Sequence, residues 1–227
     1  MAKGEQANGS VAEARPEGRP VEDALSEDFF AAREAELRGR VSAKRFAHVQ
    51  GVVAMAERLA RTYGVDVARA RLAALLHDWD KGYDDEGVRE RARDVGAQVD
   101  PWLVEHMPRL LHGPTAARAL GRAFPSIPED VLLAIDRHTT GSTDMSALDM
   151  VLYVADALEE GRQFGRVAEL RGRIGQESLE ELFVDVLAYW TILIIEQGRP
   201  LHPDTVNVWN AYVMKNQKPY LHRKERQ

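Results

Sequence analysis

An all-α fold is predicted by three observations. Apolar residues recur at alternating steps of three and four, most clearly as Phe46, Val49, Val53, Ala56, Ala60 and Tyr63, which is the spacing of one buried helical stripe. The periodic segments are bounded by helix signals, Ser26 and Ser42 ahead of two of them, and Gly64, Gly141 and Gly198 behind others. No alternating apolar run is long enough to be a strand. At 227 residues the chain suits one domain with tails, large enough to bury a core without disulfides or a structural metal.

Residues 1–24 hold Gly4, Gly9, Pro16, Gly18 and Pro20 among Glu, Arg and Ala and show no period, so a disordered tail is expected there. The domain is expected over residues 25–216, with a basic tail over 217–227. Ser26 caps a first helix through Phe29, Phe30, Ala35 and Leu37. Ser42 opens the second, where His48 shares the flank of the stripe with Val52 and Leu59 and faces inward. A third helix starts near Asp66, passes Ala70, Ala73 and Ala74, and runs without a turn signal into Leu75-Leu76-His77-Asp78-Trp79-Asp80-Lys81 before Gly82 breaks it. Residues 84–95 read as a polar surface helix with a solvated face. Pro101 starts a short helical piece. In Leu110-Leu111-His112-Gly113-Pro114, a Gly-Pro turn is expected to aim His112 from the mouth of a helix over 116–123. Pro128 opens a helix whose row Val131, Ile135 continues to His138. The next helix, capped by Ser142, Thr143 or Ser146, carries Met145, Leu148, Leu152 and Asp156 on one face, and two further helices follow over 178–197 and 205–216.

Composition removes several classes of function. The absence of cysteine fits a reducing compartment and excludes thiolate chemistry and thiolate metal sites. A formal net charge of -6 argues against binding a nucleic-acid duplex over a broad basic face, while leaving small anions such as polyphosphates open. The longest apolar run, residues 186–195, is too short for a membrane span, and the charged N-terminus has no apolar signal core. The expectation is a soluble cytoplasmic protein with a small-molecule partner; its oligomeric state is not legible.

The chemistry is concentrated in a few buried polar positions. An isolated His-Asp pair is more often a satisfied core histidine beside a solvated acid. Here Asp156 breaks that pattern, because a carboxylate on a buried helical face must be paired, protonated or bound to a cation. His48, His77, Asp78, His112, His138 and Asp156 come from five helices or helix ends, each at an inward or junction-facing position. Six such ligands suit two ions. Imidazole and carboxylate without sulfur favour divalent iron, manganese or cobalt over a closed structural zinc. Two ions can share a hydroxide nucleophile and neutralise both the attacking and leaving oxygens of a phosphoryl displacement. Lys81, Arg137 and Arg162 stand beside the ligands as phosphate contacts. His106 is a candidate substrate contact outside the metal set. His202 and His222 read as surface residues, and Trp79 and Tyr83 read first as packing.

These residues carry a family resemblance. His48, Leu-Leu-His77-Asp78 and Tyr-Val-Ala-Asp156 resemble the HD-domain metal-dependent phosphohydrolases. Leu-Leu-His112-Gly113-Pro114, Arg137-His138-Thr139-Thr140-Gly141 and Met145-Ser146 resemble the YqeK-type symmetrical diadenosine tetraphosphate hydrolases, over roughly residues 43–215. The resemblance implies a single HD-domain helical bundle with a di-iron centre that cuts the dinucleotide into two ADP. It implies that His48, His77, Asp78 and Asp156 serve one metal, that Asp78 bridges to a second held by His112 and His138, and that Thr140 and Gly141 line the substrate site with Asp78 and Lys81 in catalytic roles. The chain departs from the family string at Ser142-Thr143-Asp144, where the pattern has Arg-Pro-Gly, and lacks the proline often found before Arg162. A nucleotidase or mononucleotide phosphohydrolase is the nearest alternative. A di-iron oxygenase is opposed by the basic residues, and a non-catalytic nucleotide sensor by the complete ligand set.

Overall fold

The computed structural model describes residues 22–216. Among them are eleven α-helices, one 3-10 turn and no strand. The expected tails lie outside the described residues, His222 with them, except that Ala24 is buried in the core, so the folded part begins before residue 25. No helix among the described residues is long and apolar enough to cross a membrane.

The helices are α1 (Glu27–Arg40), α2 (Ala43–Tyr63), α3 (Val67–Leu76), α4 (Asp85–Asp94), α5 (Pro101–His106), α6 (His112–Ala123), α7 (Glu129–Arg137), α8 (Ala147–Leu158), α9 (Val167–Gly172), α10 (Leu179–Glu196) and α11 (Pro203–Asn216), with the 3-10 turn Pro108–Leu111 before α6. The caps behave as the sequence predicts at Ser26 and Ser42, whose side chains accept from Phe29 N and Arg45 N, and at Gly64, which ends α2 at φ +73°; Asp66, accepting from Arg69 N, caps α3 as well. At α8 the cap is Ser146, in a capping box with Asp149; neither Ser142 nor Thr143 caps it, and Met145 precedes the helix.

α2 is the centre of the bundle, packed between α3 and α8. That double contact corrects its stripe. Val52, Met55 and Leu59 are fully covered along with Phe46, Val49, Ala56 and Ala60, while Val53 and Tyr63 are half-buried, because two partners need a wider apolar face than one. Burying each of the larger side chains contributes about 1.5–3 kcal/mol. α7 closes the core against α3, α6 and α8. α4 is not simply a solvated face. Its Val88 packs with Leu103 and Leu111 in a second small core, which ties α4 to α5 and to the 3-10 turn before α6.

The Gly-Pro turn expected before α6 does not form. The helix begins at His112 itself, and Gly113 and Pro114 occupy its first turn, where a missing proline N–H costs nothing. Gly113 lies against α7. A Cβ there would sit 2.9 Å from Ile135 O and 3.0 Å from Asp136 O, so glycine is what lets α6 approach closely enough to set His112 beside His138.

Candidate metal centre

Every candidate ligand but His48 stands at or near a helix end, and the ends converge. His77 and His138 are the C-terminal caps of α3 and α7, His112 opens α6, and Asp156 lies in the last turn of α8. Carbonyls at helix C-termini lack intrahelical partners. His77 Nδ1 donates to Ala74 O and His138 Nδ1 to Ile135 O, each at 2.7 Å, and His112 Nδ1 donates to Arg109 O of the 3-10 turn at the same distance. The fourth imidazole is held differently, its Nδ1 donating to the Glu159 carboxylate at 3.1 Å.

A proton on Nδ1 leaves the lone pair on Nε2 in all four rings. These lone pairs face one another and carboxylate oxygens. His112 Nε2 and His138 Nε2 are 3.0 Å apart. His48 Nε2 is 3.0 Å from Asp156 Oδ1, and His77 Nε2 is 3.3 Å from Asp78 Oδ2. Neither His48 Nε2 nor His77 Nε2 makes a well-aligned hydrogen bond although both are buried. Acceptors gathered in this way need cations between them, and the residues present therefore fit divalent metal. Asp78 serves both sides of the cluster: Oδ2 faces His77 and, at 3.9 Å, His48, while Oδ1 lies 3.2 Å from His112 Nε2. Two ligand groups, His48 with His77 and Asp156, and His77 with Asp78 and His138, have their donor atoms within 4.8 Å of one another.

The protonation states suit this role. Burial drives the His138 pKa down to about 3, with His112 and His77 adding to the effect, and burial together with Lys81 lowers that of His112. Burial opposes the charged forms of Asp78 and Asp156, yet His77 and His112 around the first, and His48 and Arg162 around the second, hold both well below the usual carboxylate range. His77 is the exception among the rings: burial disfavours its charge, but Asp78 outweighs it and raises the pKa.

All six sequence-predicted ligands meet in one cluster. Lys81 also reaches it, with Nζ 3.2 Å from His112 Nε2 and 4.0 Å from Asp78 Oδ1, and burial lowers its pKa. Arg162 holds Asp156 by Nη2 to Oδ1 at 2.7 Å and by Nε to the backbone oxygen at 2.7 Å. Arg137 stands further out. It donates to Asp149 of the capping box at 3.2 Å and lies 3.5 Å from Asp144, in the stretch that departs from the family string. Thr140 and Gly141 line a cavity of about 260 Å³ together with Arg137. His106 is apart from the cluster, 47% exposed at the side chain, with its ring tilted against Trp102 at 5.0 Å between centroids. Trp79 is buried beneath the Arg40 guanidinium, a packing role as expected, and Tyr83 is partly exposed beside Arg91. His202 corrects its surface reading: it is buried and its Nδ1 accepts from Asp204 N, because α11 folds back over the bundle.

Four residues of the site escape sequence reasoning. Arg45 donates to Asp78 Oδ2 at 3.0 Å, and the Thr139 hydroxyl is 3.1 Å from His138 Nε2. Asp80 is buried and ion-paired to Arg40 and Arg91 at 3.2 and 3.1 Å, which fastens the turn after His77 to α1 and α4. Glu159 is wedged against Gly51, where a Cβ would come within 2.5 Å of its Oε2, and it also accepts from Gly161 N. For the two acids the sequence signals were their places, two after Asp78 and three after Asp156, the latter two residues before Gly161.

A helical bundle whose helix ends converge on a buried His/Asp cluster fits a metal-dependent enzyme, and the family comparison gives its class. The HD domain model matches residues 45–161, and the chain belongs to the HD-domain phosphohydrolases. Within that family it is similar to the symmetrical bis(5'-nucleosyl)-tetraphosphatase of Halalkalibacterium halodurans, 31% identical over 79% of this chain and 94% of the relative. It is also similar to the enzyme of the same name from Bacillus subtilis, 30% identical over 78% and 94%. A crystal structure from Clostridium acetobutylicum, described as an HD superfamily hydrolase involved in NAD metabolism, superposes with a TM-score of 0.76. It is 31% identical, with 82% of this chain and 97% of that one covered.

Proposed function

We propose that this enzyme hydrolyses diadenosine tetraphosphate symmetrically into two ADP, using two divalent transition-metal ions, with iron the leading candidate and manganese or cobalt as substitutes. The observation that carries the two-ion reading is the orientation of Asp78, one oxygen toward each half of the cluster. His48, His77, Asp78 and Asp156 would hold one ion, and Asp78, His112 and His138 the other. Such ions, when bound, supply Lewis acidity on both sides of a phosphoryl group and make a coordinated water acidic near neutral pH.

The chain's own residues do the rest. The carbonyl-anchored imidazoles present Nε2 in fixed orientations, so no tautomer change is needed on loading. Lys81 is long enough to leave His112 and meet a phosphoryl oxygen, and its buried position strengthens that contact. Thr140 and Gly141 line the adjoining cavity as substrate contacts. The substrate is supported by the names of relatives that the chain spans almost completely.

Chromatography of the products is the test. ADP as the sole nucleotide product is expected; equal AMP and ATP would overturn the symmetrical reading while sparing the metal centre. Asp144 lies 3.5 Å from Arg137 and competes for a cation on that side of the site, an observation that favours altered substrate preference. Rapid turnover of mononucleotides with none of the dinucleotide would therefore replace the proposal with a nucleotidase.

A further inference from the structure

The geometry points to the cleft between the start of α2 and the loop after α8 as the site for one ADP half of the substrate, with Lys44 and Arg45 on its phosphates and Phe164 against its base. This rests on the dinucleotide reading above and adds to it a place and three residues.

Size makes the first selection. Nucleotide-sized ligands need cavities of about 300–1,000 Å³. The cleft measures about 700 Å³ and is lined by His48 and by Arg162, the partner of Asp156. Two other cavities touching the cluster or its flank are smaller, about 160 Å³ beside His138 and Asp156 and about 260 Å³ beside Thr140. A groove of about 710 Å³ between α6 and α7 is large enough, but none of the six candidate ligands lines it.

Charge makes the second. Lys44, Arg45 and Arg162 face the cleft against Glu159 and Glu160. Glu159 is committed to His48 and Gly161, and Glu160 lies 3.2 Å from Arg171 and 4.0 Å from Arg58. Glu160 is thus balanced from other elements, while Arg45 and Arg162 are paired with Asp78 and Asp156; cations on those two carboxylates would release both guanidiniums to join Lys44 and leave the cleft electropositive. Arg45 has a particular position. Its Nη1 sits 3.0 Å from Asp78 Oδ2, the oxygen facing His77 and His48, where it stands in for a cation. A divalent ion held by those ligands would repel the guanidinium, and the nearest open space is the cleft. Arg45 is thus poised to turn from carboxylate to phosphate as the site loads.

The aromatic completes the fit. Phe164 is 46% exposed at the rim, with its ring braced edge-on by Trp190 at 5.6 Å. A braced, solvent-facing ring next to a cationic strip is the arrangement that stacks a base while its phosphates are gripped.

The test uses ADP as probe, with calorimetric affinity on the metal-loaded and the metal-free full chain, alongside the KM for the dinucleotide. Phe164→Ala is expected to weaken ADP binding about 10-fold, the size of one lost base–aromatic stack, and to raise KM similarly with metal content unchanged. Lys44→Ala should weaken ADP binding several-fold and reduce its salt dependence. Arg45→Gln should weaken ADP more in the loaded protein than in the metal-free one, since only loading frees the guanidinium. All three variants binding ADP as the parent does, in an enzyme that still yields ADP from the dinucleotide, would overturn the assignment of the cleft and leave the reaction standing. Loss of ADP binding in Phe164→Ala and Lys44→Ala, in a parent that does not cleave the dinucleotide, would uphold the cleft as a nucleotide site and overturn the reaction instead.

Discussion

The two sides of the candidate metal cluster are built by different means. On the His112–His138 side each imidazole is fixed by a backbone carbonyl three residues earlier in the chain, so the helix end and its ligand are one unit. On the other side His77 is held the same way, by Ala74 O, but His48 and Asp156 are fixed by other side chains, Glu159 and Arg162. A ligand oriented by its own backbone stays oriented as long as the helix folds. One oriented by a side chain can be loosened by a single substitution far down the sequence, here 111 residues away. Asp78 is the carboxylate that faces both sides, one oxygen to each.

The largest effect should come from removing that shared carboxylate. Asp78→Ala is expected to cost both ions and to reduce phosphohydrolase activity to background, with the helical content unchanged. Elemental analysis beside circular dichroism checks it, and a variant that keeps one ion would show that the halves load independently.

This division also marks what the sequence made legible. Periodicity, Ser and Gly caps and the absence of alternation gave the all-α class, because those signals are local. The convergence of the six candidate ligands was legible since each is a polar residue at the end of, or within, an apolar row, as in Val131, Ile135, His138. The side-chain supports were not. Arg45, Asp80 and Glu159 are charged residues in charged surroundings, and only tertiary contact separates them from solvated neighbours. The start of α6 was misplaced for a related reason: Gly-Pro signals a turn by itself, and its use within a first helical turn is dictated by the close approach of α7. Arg137 was legible as a cation near the site, but its capping-box partner Asp149 was not, since that bond spans the turn between α7 and α8.

A middle-sized effect should separate the two halves. Glu159→Ala leaves every ligand in place but removes the acceptor that orients His48, and such supporting bonds are worth about 10–100-fold in metal affinity. The expected result is a fall of that order for one ion, with the other retained. Competition with a chromophoric chelator would resolve the two affinities. Equal weakening of both ions would mean that the halves are coupled more tightly than their separate supports imply.

The smallest effect is a pH dependence of stability in the metal-free protein, and it distinguishes the halves by sign and window. The His138 pKa falls from 6.5 when unfolded to about 3 when folded, so the folded state refuses a proton that the unfolded chain accepts. Its cost is absent above pH 6.5 and grows as pH drops toward 3, and His112, also lowered, acts in the same direction. His77 opposes them, since its raised pKa lends stability that is full below its unfolded value and lost as pH rises through the folded one. Asp156 behaves differently from all three. Its carboxylate is held well below the ordinary 3.8, so its contribution is intact above that value and is lost only as pH falls further. Between about pH 6.5 and 4.5 acid should therefore act through the histidines and leave the Asp156 contribution unchanged. Thermal melts of metal-free protein across that window are expected to show a flatter acid slope for His138→Gln than for the parent, and a parental slope for Asp156→Asn. A flattened slope in Asp156→Asn would place proton uptake in the side-chain-supported half and reverse the comparison.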